Sequence, residues 1–352
     1  MAIFENPHRG VGLPGLWPDD PVWPSIDAAS VGGLLAQCPA AGETPLVDVP
    51  EMAELAGVGA VFLKDETVRM GLGSFKALGA AYAIAREAAA VGGDLNKALV
   101  GRCFIAASAG NHGLSVAVGA HIFGARAVIV LAETVPESFA ERLRGKGAEV
   151  VRAGAIYEDS MAAAMRLAEE NDWTLLSDSS WPEYIDLPYR VMEGYLQLAE
   201  EAARQMPRPP SHIFLQAGVG GLAAAVAAYA RHVWGDGPVI VVVEPEFAPA
   251  LLESAQAGKV VVADGPVSDM GRLDCKEPSL VALTGLARDA DFFMTVSEAA
   301  AAEAVERLAD VGVSTTPSGG AGVAGMLAGE AALGLSAESV VMCIVSETGD
   351  AA

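Results

Sequence analysis

The sequence is poor in features that would cross-link it or carry it into a membrane. It has four cysteines in 352 residues and no C-x-x-C pair, which argues against a disulfide framework and a zinc site. No uninterrupted apolar run reaches the roughly 18 residues that a membrane span needs, and the start lacks the basic flank of a signal peptide. These absences predict reduced thiols, no metal and a cytosolic (cytoplasmic) location.

Basic residues are also scarce. The chain has 22 lysines and arginines against 45 aspartates and glutamates, so its formal net charge is −23. This charge would repel a phosphate backbone, which argues against nucleic-acid binding. The chain has no G-x-x-x-x-G-K-[ST] motif, and the glycine turns that follow its predicted strands lack the G-x-G-x-x-G spacing. A nucleotide-dependent enzyme is therefore only a remote alternative.

Short apolar runs alternate with Ala- and Leu-rich helical patterns along the chain. Because these runs show almost no period-2 alternation, helices should cover both faces of their sheets, which predicts an α/β fold with parallel sheets. The predicted strands are 61–66, 102–108, 127–133, 149–154, 212–218, 239–245 and 340–347. The predicted helices are 77–90, 112–123, 137–146, 158–171, 188–204, 220–234 and 298–310. Residues 1–45, rich in Pro, Gly and Trp, are predicted to pack over a neighbouring domain or subunit.

Ligands of open α/β sheets bind outside the carboxyl ends of the strands, so we expect chemistry at the strand-to-helix turns. The first unusual turn, GLGSFKALGAAYAI (71–84), places Lys76 at the opening of a helix. The positive end of the helix dipole disfavours an ammonium there and favours the neutral amine that a Schiff-base lysine needs. Lys64, in the preceding strand, is the competing lysine, and a solvated surface role for Lys76 is the simpler alternative.

Three further turns could hold an anion or a ring. AASAGNHGLSVAVGA (106–120) combines small residues with a helix start and suits a carboxylate, although an isolated histidine such as His112 more often caps or packs. QAGVGGLAAAVAAY (216–229) lets the chain approach a phosphate closely, although close packing would also explain its glycines. In VVMCIVSETGD (340–350), Ser346 ends the last strand, where a hydroxyl could meet a ring nitrogen.

These four turns, in this order, resemble the β-family (fold type II) of pyridoxal 5′-phosphate (PLP) enzymes, which includes threonine and serine dehydratases. The resemblance implies two parallel-sheet α/β domains with PLP in the cleft between them. It implies that Lys76 bears the cofactor, that Asn111 faces the ring oxygen and that Ser346 meets the pyridine nitrogen. The cofactor-binding residues it implies are Lys76, Phe75, Asn111, Gly218, Val219, Gly220, Gly221, Leu222 and Ser346. The substrate-binding residues it implies are Ser108, Ala109, Gly110, Asn111 and His112.

Within this family the chain is most similar to diaminopropionate ammonia-lyases, through GLGSFKALGAAYA, SDSSWPEYIDLPYRVMEGYLQLAEE (177–201) and MGRLDCKEPS (270–279). This resemblance implies elimination from a small amino acid, with 2,3-diaminopropionate giving pyruvate and ammonia. Lys76 would act as the base and Asp178 as the acid or base facing the leaving group, although a turn-capping role for Asp178 is an even alternative. It further implies a homodimer, with a large domain from 1–76 and 178–352 and a small domain from 77–177.

The chain departs from those lyases in two places. The residues before Gly-Asn-His-Gly are Ser108 and Ala109, as in the dehydratases, where the lyases usually have Thr-Asp. The segment 314–322 lacks the more usual Glu before Ser-Gly. These differences put D-substrates in doubt and leave two alternatives open: a dehydratase of serine, threonine or hydroxyaspartate, and a PLP-binding protein without turnover.

Overall fold

The computed structural model describes residues 1–38, 40–329 and 331–349. Its strands are β1 (Ile3–Glu5), β2 (Leu46–Asp48), β3 (Ala60–Asp65), β4 (Cys103–Ala107), β5 (Arg126–Leu131), β6 (Glu149–Arg152), β7 (Thr174–Leu175), β8 (His212–Gln216), β9 (Val239–Pro245), β10 (Phe292–Val296) and β11 (Val340–Val345). Its α-helices are α1 (Ala28–Leu35), α2 (Pro50–Ala56), α3 (Lys76–Val91), α4 (Asn111–Ile122), α5 (Glu137–Arg144), α6 (Tyr157–Asn171), α7 (Asp186–Gly194), α8 (Leu196–Gln205), α9 (Gly221–Trp234), α10 (Ala250–Ala257), α11 (Leu280–Asp289), α12 (Glu298–Asp310) and α13 (Pro317–Leu327).

The strands form two sheets, as expected for two α/β domains. The larger sheet has the order β1-β10-β9-β8-β11-β3-β2; its central pairs are parallel, and the two edge strands β1 and β2 are antiparallel to their neighbours. The smaller sheet has the order β6-β5-β4-β7 and is parallel throughout. Chain order places the small sheet between β3 and β8 of the large one, which is compatible with the predicted insertion; the exact domain limits stay a prediction.

Both faces of the central strands are buried, which explains their uninterrupted apolar sequences. In β11, Met342 and Ile344 pack into one core, while Val341 and Val345 pack into a second core on the opposite face of the sheet. Because alternate side chains of a strand point to opposite faces, a strand between two helical layers needs apolar residues at every position. The parallel α/β architecture predicted from the sequence is confirmed.

The N-terminal arm covers the large domain and has more regular structure than its sequence suggests. Strand β1 pairs with β10, and the indole Nε1 of Trp17 donates a 2.8 Å hydrogen bond to the hydroxyl of Thr284 on α11. The Trp23 ring lies under the guanidinium of Arg288, 4.4 Å from the ring centroid. The arm therefore packs on α11 of its own chain. Among the described residues, no helix is long and apolar enough to cross a bilayer.

The prediction of a single helix over 188–204 is wrong in one respect. The structure has two helices there, α7 and α8, and the residue between them is Tyr195. The amide of Tyr195 donates to the carbonyl of Met192, three residues earlier, which is a tighter turn than the four-residue spacing of an α-helix. The Tyr195 ring is buried in the core.

Candidate active site

A buried ion pair connects the ends of the two sheets. Lys76, the first residue of α3, follows β3 of the large sheet, and Asp178 lies three residues after β7 of the small sheet. The Lys76 Nζ contacts Asp178 Oδ2, and the side chains are only 21% and 18% exposed. Two residues that are 102 positions apart in the chain thus meet at the bottom of one cleft.

The charges of this pair are strongly coupled. Burial by itself would lower the pKa of Lys76, but the Asp178 carboxylate outweighs it and raises that pKa. Burial by itself would raise the pKa of Asp178, but the charge and hydrogen bond of Lys76 hold it well below its usual range. The Asp178 carboxylate thus favours the ammonium form of Lys76 and opposes the helix dipole, because a full charge in contact exceeds the partial charge of a helix end.

The competing lysine, Lys64, is excluded from the cleft by its own pairing. Its side chain is fully buried, and its Nζ donates to Glu201 Oε2 at 2.8 Å and to the carbonyl of Thr44 at 2.6 Å. Arg69 and Glu66 complete this ion cluster beneath the turn that leads to Lys76. Of the two candidate lysines, Lys76 is thus the one that lies in the cleft.

The lysine turn is fixed against the end of the last strand. The amide of Phe75 donates to the carbonyl of Ser346 at 3.1 Å, and the amide of Thr348 donates to the carbonyl of Gly73 at 2.9 Å. Ser346, which follows the last strand, is 4% exposed. Because it lies next to Phe75, it belongs to the same site as Lys76. Two of the four turns singled out in the sequence are therefore joined by backbone hydrogen bonds.

The second turn enters the site at the start of α4. Asn111 is the first residue of that helix, and its Nδ2 donates to Glu347 Oε2 at 2.6 Å. Ser108, Ala109 and Gly110 are partly buried just before it, and the Gly110 amide donates to the Ser108 hydroxyl at 3.3 Å. A carboxylate at this turn would meet the first amides of α4, which have no acceptor within their own helix.

His112 has one ring nitrogen satisfied and one not. Its Nε2 lies 2.8 Å from the carbonyl of Leu176, and this fixes Nε2–H as the donor. Its Nδ1 is buried without a hydrogen-bond partner among the described residues. Burial lowers the pKa of His112, although the Asp178 carboxylate partly offsets this, so the neutral imidazole can accept a hydrogen bond at Nδ1.

The third turn begins α9 with the backbone of Gly218 to Gly221. Gly220 has φ of +98°, a conformation that favours glycine, and its carbonyl accepts from the amide of Ala224 as α9 begins. A Cβ at Gly218 would lie 2.9 Å from Cys275 Sγ, so the turn passes directly beside this thiol. The α9 helix begins one residue later than predicted, at Gly221, and Leu222 follows within its first turn.

Four further residues of the site were missed in the sequence. Glu347 is 3% exposed, and its carboxylate contacts the side chains of Asn111, Arg272 and Thr316. Because Thr316 belongs to the segment 314–322, which lacks the usual glutamate, Glu347 places a carboxylate against that segment. Cys275 is half-buried next to the ion pair, and desolvation raises the pKa of its thiol to about 12. Its position inside MGRLDCKEPS was the only sequence signal for it.

Two tyrosines complete this missed set. Tyr157 is 53% exposed, and desolvation of its hydroxyl together with the charge of Asp178 raises its pKa. Tyr195 is 2% exposed and packs edge-on against Phe75 with centroids 4.8 Å apart. Isolated tyrosines in helical sequence carry no signal of this kind, because the same spacing is usual in a core.

The arrangement suits an anionic, ring-containing aldehyde. The first amides of α9 have no acceptor within the helix and can bind a phosphate, and the buried Tyr195 hydroxyl has no partner among the described residues. Lys76 offers an amine, and Ser346 and Asn111 flank it from the large and the small sheet. No group of three or more His, Cys, Asp or Glu residues within the described ranges is arranged to hold a metal.

Comparisons with known proteins agree with this geometry. Residues 38–347 match the family model described as "Pyridoxal-phosphate dependent enzyme". The chain is 32% identical over 282 residues to the diaminopropionate ammonia-lyase of Salmonella typhimurium, covering 74% of this chain and 70% of that protein. It is 29% identical over 287 residues to a serine dehydratase-like protein of Mus musculus, covering 81% of this chain and 82% of that protein.

Solved structures show the same likeness. The diaminopropionate ammonia-lyase of Escherichia coli, in complex with an aminoacrylate-PLP azomethine reaction intermediate, superposes with a TM-score of 0.87 at 28% identity. The superposition covers 99% of this chain and 93% of that one. The fold predicted from the resemblance, fold type II with two α/β domains, is confirmed.

Proposed function

Because this chain belongs to the pyridoxal-phosphate dependent enzyme family and is an enzyme of the ammonia-lyase type, we propose that it converts 2,3-diaminopropionate to pyruvate and ammonia. The single observation that carries the proposal is the contact between Lys76 and Asp178, which puts a base and an acid on one reacting centre. The similarity to diaminopropionate ammonia-lyases, at 32% identity, supports the diamine as substrate.

Four groups of residues would hold the cofactor. Lys76 would carry it covalently, the Gly218–Leu222 turn would bind its phosphate, Asn111 would face its ring oxygen, and Ser346 would meet its ring nitrogen. When bound, PLP supplies an electron sink for the charge left on the α-carbon after the α-proton is removed. Phe75 and the partly buried Ser108–Gly110 turn would exclude water from the cofactor and from the substrate carboxylate.

Proton transfer then falls to Lys76 and Asp178. The Lys76 amine, when it is free, would take the α-proton of the substrate. The low pKa of Asp178 depends on the positive charge of Lys76, since burial alone raises it. While Lys76 is neutral, Asp178 therefore binds a proton more readily and can donate it to the leaving group, which departs more easily when protonated.

A dehydratase acting on serine, threonine or hydroxyaspartate is the second candidate. Ser108 and Ala109 favour it, because Ala109 stands where the diaminopropionate ammonia-lyases usually have an aspartate, and the dehydratases have the same Ser-Ala pair. The similarity to the serine dehydratase-like protein supports it as well. A serine at position 346 suits either reaction, because a hydroxyl does not force a proton onto the ring nitrogen and leaves a milder electron sink. The relatives named above are enzymes, so a PLP-binding protein without turnover is the weaker hypothesis.

The test is a product count with the PLP-loaded protein. L- and D-2,3-diaminopropionate, L-serine, L-threonine and hydroxyaspartate are supplied separately, and ammonia and oxo acid are measured. We expect two ammonia molecules per pyruvate from the L-diamine and little turnover of the D-diamine. Efficient one-to-one release from a hydroxyamino acid, with a poor reaction of the diamine, would replace the proposal by the dehydratase.

The role of Lys76 is tested in parallel. Lys76→Ala should lose the visible absorption band of the bound cofactor and the turnover, whereas Lys97→Ala, at a lysine 79% exposed, should keep both. Borohydride reduction of the wild type followed by peptide mass spectrometry should find the cofactor on the peptide containing Lys76. Label on any other lysine would contradict the assignment. The homodimer and the cytoplasmic location stay predictions, and light scattering of the purified protein tests the first.

A further inference from the structure

One buried hydroxyl near the glycine turn has no partner. Tyr195 is 2% exposed, and its Oη has no hydrogen-bond partner among the described residues. Burying a hydroxyl without a partner is costly, and native structures rarely do so without a reason. The other buried tyrosine of this region, Tyr82, is satisfied: its hydroxyl donates to Glu193 Oε2 at 3.0 Å.

The surroundings of the ring show where the hydroxyl points. The ring packs edge-on against Phe75, directly before Lys76. An ideal Cβ at Gly79 of α3 would lie 2.7 Å from Cε1, and one at Gly221 of α9 would lie 3.5 Å from Cε2. These two carbons flank the carbon that bears the hydroxyl, so Oη emerges between the first turn of α3 and the first residue of α9. Glycine at both places leaves it room.

An anion at this position would meet several donors at once. The first amides of α9 point along the helix axis, and the positive end of the helix dipole favours negative charge there. Burial raises the pKa of Tyr195, so its hydroxyl keeps its proton at neutral pH and can act as a donor. The ring of Tyr195 lies against Gly221, the first residue of α9, so its hydroxyl is close to the start of that helix.

We propose that the Tyr195 hydroxyl donates a hydrogen bond to the phosphate group of PLP and so completes the phosphate site formed by the Gly218–Leu222 turn. This inference rests on the proposed assignment of that turn to the phosphate. Tyr195 is the residue between α7 and α8, and its ring lies against Gly79 of α3 and Gly221 of α9. Tyr195 is a binding residue in this scheme and takes no part in proton transfer.

The experiment compares PLP with pyridoxal, which has the same aldehyde and ring but no phosphate. Dissociation constants of both are measured by absorbance and fluorescence titration of the wild type, Tyr195→Phe and the control Tyr82→Phe. Both ligands can react with Lys76, so the ratio of their dissociation constants isolates the phosphate contribution. In Tyr195→Phe we expect the preference for PLP to fall about 10- to 100-fold, the loss expected for a hydrogen bond to a charged acceptor. In Tyr82→Phe the preference should not change.

A second measurement guards against a folding defect. Without PLP, Tyr195→Phe should unfold at the same temperature as the wild type or higher, because it removes an unpaired buried hydroxyl and keeps the ring. Inorganic phosphate alone should bind more weakly to Tyr195→Phe than to the wild type. A preference for PLP within about twofold of the wild-type value would overturn the inference while leaving the proposed function intact. A wild type that does not prefer PLP over pyridoxal would instead refute the phosphate role of the glycine turn.

Discussion

The buried ion cluster beneath the lysine turn should contribute strongly to stability, and removal of one charge tests this. Glu201 is 1% exposed and accepts from Arg69 Nη2 at 2.6 Å and from Lys64 Nζ at 2.8 Å. Burial would raise the pKa of Glu201, but hydrogen bonds and charges of Arg69 and Lys64 lower it from 4.5 to about 2. At about 1.4 kcal/mol per pKa unit, this drop corresponds to about 3 kcal/mol of folding free energy.

Glu201→Gln keeps the shape of the side chain and removes its charge. Lys64 and Arg69 would then share only Glu66, which leaves one uncompensated positive charge in the core. Breaking a buried pair in this way typically costs about 3–5 kcal/mol, in agreement with the figure from the pKa. Most of the loss should come from Arg69, since burial lowers the pKa of Lys64 even with Glu201 beside it.

The assay is urea unfolding of the PLP-loaded protein followed by circular dichroism. Glu43→Gln is the control: Glu43 pairs with Arg204 at the surface, with side chains 44% and 54% exposed, and should lose less than about 1 kcal/mol. The double variant Lys64→Met/Glu201→Gln should recover part of the loss, because it removes the unpaired charge. If Glu201→Gln and Glu43→Gln unfold alike, the buried cluster does not stabilise the fold as argued.

Three further predictions follow from the same structure. Asp178→Asn should keep the visible cofactor band but lower the turnover number by about 100- to 10,000-fold, measured by pyruvate release; an unchanged rate would exclude its role as acid. Gly79→Ala should destabilise the protein by about 1–3 kcal/mol in urea, because its methyl would meet Tyr195 at 2.7 Å, whereas the exposed Gly33→Ala in α1 should be neutral or stabilising. The pKa of Glu201 is lower in the folded state, so its contribution to folding stability is present above about pH 4.5 and disappears as the pH falls through 2. The difference in unfolding free energy between the wild type and Glu201→Gln should therefore narrow when urea unfolding is repeated at decreasing pH.

Three strands were missed in the sequence because they are too short to show a hydrophobic pattern. Strands β1, β2 and β7 have three, three and two residues, and they exist because a longer neighbour offers free backbone groups for pairing. The five-residue strand β10, with four apolar residues and Thr295, was missed for a different reason: a short apolar run cannot be distinguished from a buried helical segment by periodicity alone. The long central strands β3, β9 and β11 were predicted, because burial on both faces demands uninterrupted apolar residues.

In the site, too, the features that depend on neighbouring residues could be predicted, and those that depend on residues far apart in the chain could not. The positions of Lys76, Asn111, the Gly218–Gly221 turn and Ser346 at strand-to-helix turns or a strand end could be predicted from local patterns, and their roles stay predictions. The protonation of Lys76 could not be predicted, because it depends on a carboxylate 102 residues away. The helix dipole, which is local, and this distant carboxylate shift the pKa of Lys76 in opposite directions.

The sequence by itself determined the α/β class, the parallel core strands and the four turns, because these follow from apolar patterns and from glycine and helix-start signals within a few residues. Only the tertiary structure decided which charges meet. It joined Lys76 to Asp178, locked Lys64 into a buried cluster with Glu201 and brought Glu347 to Asn111. Electrostatic energies depend on distance and burial in space, and neither quantity is encoded in the spacing of residues along the chain.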